Sequence, residues 1–128
     1  MSAYRISDAA RLLGVSDDTV RRWVDHGRLT TTREEGVAVI DGVHLAALAE
    51  SLADEPESGR VSSARNHLDG IVVRVKKDRV MAQVELVCGP YRVVSLLSAD
   101  SVDELGLAVG VRASARIKST NVVVERTS

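Results

Sequence analysis

Phenylalanine is missing from this 128-residue chain, and Trp23, Tyr4 and Tyr91 are its only aromatic residues. Any core must therefore be packed from Val, Leu, Ile and Ala, and thin aliphatic cores of this kind favour association. Cysteine is almost as scarce. The single Cys88 excludes a disulfide framework and a cysteine-based zinc site within one chain. His26, His44 and His67 are too scattered for a metal site, so no directly protein-ligated metal cation is expected. No nucleophile–base–orienter set, Gly-rich phosphate loop or carboxylate pair emerges, which argues against an enzyme and against a redox cofactor. The N-terminal MSAYRISDAARLLG is polar and begins an amphipathic pattern, unlike a secretory signal or a membrane span. One thiol and no signal-like segment predict a cytoplasmic protein without a membrane partner.

What is present is an ordinary globular mix, 45% hydrophobic and 27% charged. The formal net charge of −1 hides an asymmetry. Residues 1–53 carry six Arg against eight Asp and Glu, whereas residues 60–128 carry eleven Lys and Arg against seven acids. The C-terminal part is thus the anion-friendly one. Between them, Asp54-Glu55-Pro56-Glu57-Ser58-Gly59 combines turn formers with unpaired acids, and residues 54–61 read as a linker. Apolar spacing is helical before this stretch and alternating or β-branched after it. The expected architecture is α+β in two domains: 1–53 helical with a hairpin, and 62–128 a five-stranded OB-like barrel with one short helix.

In the first part, Ser7 is the candidate N-cap of a helix through Leu13, closed by Gly14. Ser16 caps a second helix that Gly27 ends, with Asp17 and Asp18 in its first turn and Val20, Trp23 and Val24 on the buried stripe. Leu29-Thr30-Thr31-Thr32 and Val37-Ala38-Val39-Ile40 around Glu34-Glu35-Gly36 form a hairpin. A third helix follows Asp41, with Leu45, Leu48 and Leu52 facing inward. Two short helices joined by Gly14-Val15-Ser16 fit a helix-turn-helix. Arg21 and Arg22 lie opposite Val20 and Trp23 and could bind phosphate or guanine, while Arg28 and Arg33 flank the hairpin. An exposed Arg pair fits plain solvation equally well, paired to Asp18 and Asp25. The ordered segment Tyr4-Arg5-Ile6-Ser7-Asp8-Ala9-Ala10-Arg11-Leu12-Leu13-Gly14-Val15-Ser16, then Thr19-Val20-Arg21-Arg22-Trp23-Val24-Asp25-His26-Gly27-Arg28-Leu29, closely resembles the MerR-like, excisionase-type winged helix-turn-helix. The resemblance covers residues 3–52. It implies a dimeric module that binds double-stranded DNA, with the second helix in the major groove and the wing on flanking backbone. Thr19, Arg21, Arg22, Arg28 and Arg33 are then the DNA-binding candidates.

In the second part, 71–76, 82–88, 91–97, 111–118 and 122–126 are strand candidates, and a short helix starts at Ser101 with a capping-box pattern. Hydroxyls, amides and cations gather in three places: Ser62-Ser63-Ala64-Arg65-Asn66, Ser98-Ala99-Asp100-Ser101 and Lys118-Ser119-Thr120-Asn121. A tetrahedral dianion is best held by such neutral donors plus one or two cations. Taken singly, each segment also fits a linker, a helix cap or a surface lysine. Together with Val80-Met81-Ala82-Gln83-Val84 and Arg116-Ile117-Lys118-Ser119-Thr120-Asn121-Val122, they look like the molbindin (TOBE) domain over residues 62–126. That resemblance implies molybdate or tungstate as the ligand, bound between subunits. It carries the ligand roles to Ser63, Arg65, Ser98, Ser101, Lys118 and Ser119, with the Ala82 backbone added. With one copy per chain, a homo-oligomer is implied: a dimer or higher, with a trimer of dimers among the larger options. The combined expectation is a molybdate- or tungstate-responsive DNA-binding transcriptional regulator. The rivals are an intracellular molybdate store whose helical part serves assembly, and an architectural DNA-binding protein with a vestigial anion site.

Overall fold

The computed structural model describes residues 2–53 and 62–127. The expected linker 54–61 lies outside the described residues. The chain divides into two compact units, Met1–Glu55 and Pro56–Ser128.

The first unit runs β1 (Ala3–Arg5), α1 (Ile6–Leu13), α2 (Asp17–Asp25), β2 (Thr32–Glu34), β3 (Val37–Asp41) and α3 (Gly42–Leu52). Gly14 adopts a left-handed φ of 68° and closes α1, while its N–H reaches back to the last turn. Three residues later α2 begins, with the Ser16 hydroxyl accepting from the Thr19 amide at 3.1 Å. Ser7 is not a cap. It lies within the first turn of α1, because β1 runs straight into the helix and leaves Arg5 at the N-cap without a side-chain bond. Strand β3 is central, pairing antiparallel with both β1 and β2. Ala9, Ala10, Val20, Leu29, Ile40, Leu45 and Leu48 form the core. Leu52, expected to face inward, is 47% exposed as the last residue of α3.

The second unit contains β4 (Asn66–Lys77), β5 (Met81–Cys88), β6 (Tyr91–Ser98), α4 (Ala99–Leu105), β7 (Arg112–Ile117) and a 3-10 turn, Ser119–Asn121. The sheet order is β6-β5-β4-β7, antiparallel throughout. A register shift between Val72 and Arg74 bends the long β4, as a bulge does. At Gly70 a Cβ would meet the Val87 carbonyl at 2.4 Å and the Cys88 sulfur at 2.6 Å, so only glycine allows the close approach of β4 and β5 there. Ala82, Val84, Leu86 and Cys88 alternate inward along β5 and pack with Val72 and Val102. On the outward face, Glu85 is held between Arg74 at 3.5 Å and Arg92 at 3.3 Å.

Two expectations are corrected here. The helix begins at Ala99 rather than Ser101, because the Ser98 hydroxyl takes the Ser101 amide at 3.0 Å and is itself the cap. The fifth strand is absent: residues 122–127 form no regular element, and Val123 and Val124 are 83% and 87% exposed. A β-branched run favours extended backbone, but a strand needs a bonded neighbour, and among the described residues none pairs with it. The unit is therefore a curled four-stranded sheet rather than a five-stranded barrel.

Candidate functional site

The expected oxyanion ligands fall into two groups set by the register of β4. At its start, Asn66 pairs with Ile117, the last residue of β7. Arg65 and Lys118 are the next residues outward on the two strands, and Ser63 and Ser119 flank them. All four are exposed, and neither cation carries an ion pair among the described residues. The Asn66 side-chain amide donates to the Ile117 carbonyl at 3.0 Å and clamps the two strand ends. Beyond Ile117 the chain turns at once, with the Asn121 amide bonded to the Lys118 carbonyl at 2.9 Å.

The second group sits at the far end of β4. Lys77 pairs with Ala82, and Met81 pairs with Ser98. Ser98 donates its hydroxyl to the Ser101 hydroxyl at 2.7 Å, so the two oxygens form one small cluster. Ala82 is buried, and only its backbone could serve a ligand. The twelve residues of β4 place the two groups a path of about 36 Å apart along the strand. The sheet thus brings Ser63, Arg65, Lys118 and Ser119 together, gathers Ala82, Ser98 and Ser101 elsewhere, and does not join the groups.

Beside the first group runs a polar ladder that sequence reasoning missed. Asp69 accepts from Ser114 at 2.6 Å and lies 3.0 Å from His67 Nε2. The Ser114 hydrogen bond, and then the charge of His67, hold its carboxyl below the usual range. The one available signal was alternation, since His67, Asp69 and Ser114 fall on the solvent side of strands whose other side carries Leu68, Ala113 and Ala115. Against this edge lies a largely apolar cavity of about 660 Å³, lined by Val84, Leu86, Leu97, Leu107 and Ala115 among others, with Arg112 and Ser114 of β7 at its wall.

In the first unit, α2 presents Arg21 and Arg22 to solvent. Arg21 pairs with Asp18 at 3.3 Å, and Arg22 donates to the Thr19 hydroxyl at 3.3 Å. Thr19 shares its oxygen with Ser16 at 2.9 Å, so the helix cap and the arginine face are one network. Arg28 lies over the Trp23 ring, 5.8 Å from its centroid, and Arg33 donates to the Gly36 carbonyl at 2.7 Å across the hairpin turn. All five candidates are present on this unit, but the last two are tied to their own fold. No helix among the described residues is long and apolar enough to cross a membrane, and none of them cluster as metal ligands.

Comparison with known proteins adds to this geometry. Residues 62–124 match the family model of the TOBE domain, and residues 3–53 that of a helix-turn-helix domain. Molybdenum-pterin-binding protein 3 of Clostridium pasteurianum is 48% identical over 63 residues, which cover 48% of this chain and 93% of that protein. A probable molybdenum-pterin-binding protein of Haemophilus influenzae is 44% identical over 63 residues, covering 48% of this chain and 91% of its own. Among solved structures, a molybdate-binding protein from Sporomusa ovata aligns with a TM-score of 0.50 at 30% identity, over 52% of this chain and 100% of that one.

Proposed function

The chain belongs to the TOBE domain family through residues 62–124 and to a helix-turn-helix domain family through residues 3–53, and from that premise we propose that it is a molybdate- or tungstate-responsive DNA-binding regulator of the cytoplasm. The observation that carries the reading is the split of the ligand set along β4. Ser63, Arg65, Lys118 and Ser119 of one copy meet Ser98, Ser101 and the Ala82 backbone of another, so closing the anion pocket and joining chains become one event. Charge and hydroxyls suit a tetrahedral dianion, with Arg65 and Lys118 as the cations. The open apolar cavity and the exposed Val123 and Val124 support the same association, since a second copy's residues 122–126 would complete the sheet as its fifth strand.

Association pairs two helix-turn-helix units, and α2 enters the major groove with Thr19, Arg21 and Arg22. The β2–β3 hairpin acts as the wing, with Arg28 and Arg33 toward flanking phosphates. Anion control requires different affinities of the ligand for two arrangements of the oligomer.

A second reading, an intracellular molybdate store whose helical unit serves assembly, is favoured by one observation. Arg21, Arg22 and Arg33 already have partners within a unit that carries more acids than bases. Isothermal titration with molybdate and with sulfate, alongside binding to the protein's own promoter DNA with and without molybdate, tests both. Molybdate-dependent DNA binding is the expected result. Tight molybdate binding without any DNA binding leaves the store, and no molybdate binding overturns both readings.

A further inference from the structure

Asn66 is an oddity of the second unit. On β4 it shares the inward face with Leu68, Gly70 and Val72, where an apolar side chain would bury more favourably. Its amide is half-buried and spends a hydrogen bond on the Ile117 carbonyl, 51 positions away, at the last rung before both strands leave the sheet. Strand β7 is an edge strand, so among the described residues no further strand fixes this rung from its far side. One residue beyond lie Arg65 and Lys118.

We propose that Asn66 is a positioning residue for the oxyanion pocket: its amide locks the ends of β4 and β7 in register, and so fixes the spacing of Arg65 and Lys118 before any anion arrives. The inference rests on the oxyanion reading given above. Two cations on separate strands hold an anion well only if their separation is preset, because ordering them on binding would cost conformational entropy. The turn after Ile117 is short and internally bonded, through Asn121 to Lys118 and Val122 to Ser119, so locking Ile117 locks Lys118 and Ser119 with it.

The test replaces Asn66 in the full chain by Leu, which fits the inward face and removes the donor. A merely structural residue predicts that Asn66→Leu lowers the Tm and leaves molybdate affinity intact. The positioning role predicts an unchanged or raised Tm, molybdate affinity weakened by about tenfold, the scale of one lost hydrogen bond in a closed site, and faster amide exchange at Asn121 and Val122 without ligand. In a Lys118→Ala background the same change should cost less than about twofold, because the cation it positions is gone. Equal losses in both backgrounds, or unaltered exchange, would overturn the proposal. Wild-type protein that binds no molybdate would instead overturn the functional reading, and the exchange measurement would still decide the role of Asn66.

Discussion

The two units solve the same shortage of aromatic residues in opposite ways. The first closes on itself: Ile40 and Val20 are fully buried between one three-stranded sheet and its helices. The second leaves its sheet open at both edges, an apolar cavity behind it and three consecutive valines in solvent beyond the last turn. A core finished within one chain depends only on its own packing. On the proposed reading, a core left unfinished would make stability, assembly and ligand binding depend on the concentration of other copies.

The sharpest test of that contrast is Val123→Asp. If Val123 is covered by a second copy, the buried unpaired charge should cost about 3–5 kcal/mol and shift light scattering toward monomer. A variant that assembles normally would break the comparison. Ile40→Ala should cost about 2–5 kcal/mol through the cavity it leaves. That loss should be independent of protein concentration by thermal unfolding, and a concentration-dependent loss would mean the first unit is unfinished too. Arg65→Ala and Lys118→Ala should each weaken molybdate binding by about 1.5–3 kcal/mol in calorimetry while leaving the first unit's unfolding unchanged. On the first unit, Arg22→Ala should lower the salt slope of DNA binding by about one phosphate contact. A slope that does not change would remove Arg22 from the interface.

The smallest effect concerns Asp69 and Asp78. Ser114 and His67 hold the first carboxyl below its usual range, and the amides of Met81 and Val80 do so for the second. Depressed folded values mean stability that is complete above the unfolded pKa and lost as pH falls through the folded one. Acid should therefore loosen the second unit through these two groups, and Ser114→Ala should raise the Asp69 pKa in an NMR titration.

Sequence and structure part where pairing partners decide the outcome. Gly14, Ser16, Asp41 and the turn at Glu35-Gly36 were legible because each acts on residues a few positions away, whereas the strand expected over 29–32 runs Thr32–Glu34 instead, with Leu29 taken into the core. Strand β1 was not, since Ala3, Tyr4 and Arg5 become a strand only by pairing with residues 39–41. Residues 122–126 carry a real β signal, yet they bond to neither edge of their own sheet, which a local pattern does not foretell. The candidate ligand residues could be named from their motifs, but their division between the ends of β4 depends on register, which alternation alone does not specify. Asn66 was read as one donor among several, although its inward position in the pattern of Leu68 and Val72 marked it as different.

The length of β4 has one further consequence, for how such a protein could be re-dimensioned. Inserting one residue into the strand would set the parity of one part against the other, unless a second bulge like that at Val72–Arg74 absorbed it. Inserting two would keep every side chain on its face while moving the two ligand groups roughly 7 Å further apart along the strand. The strand is therefore a gauge. On the proposed reading, its residue count, in steps of two, would set the repeat distance between the anion sites of joined copies.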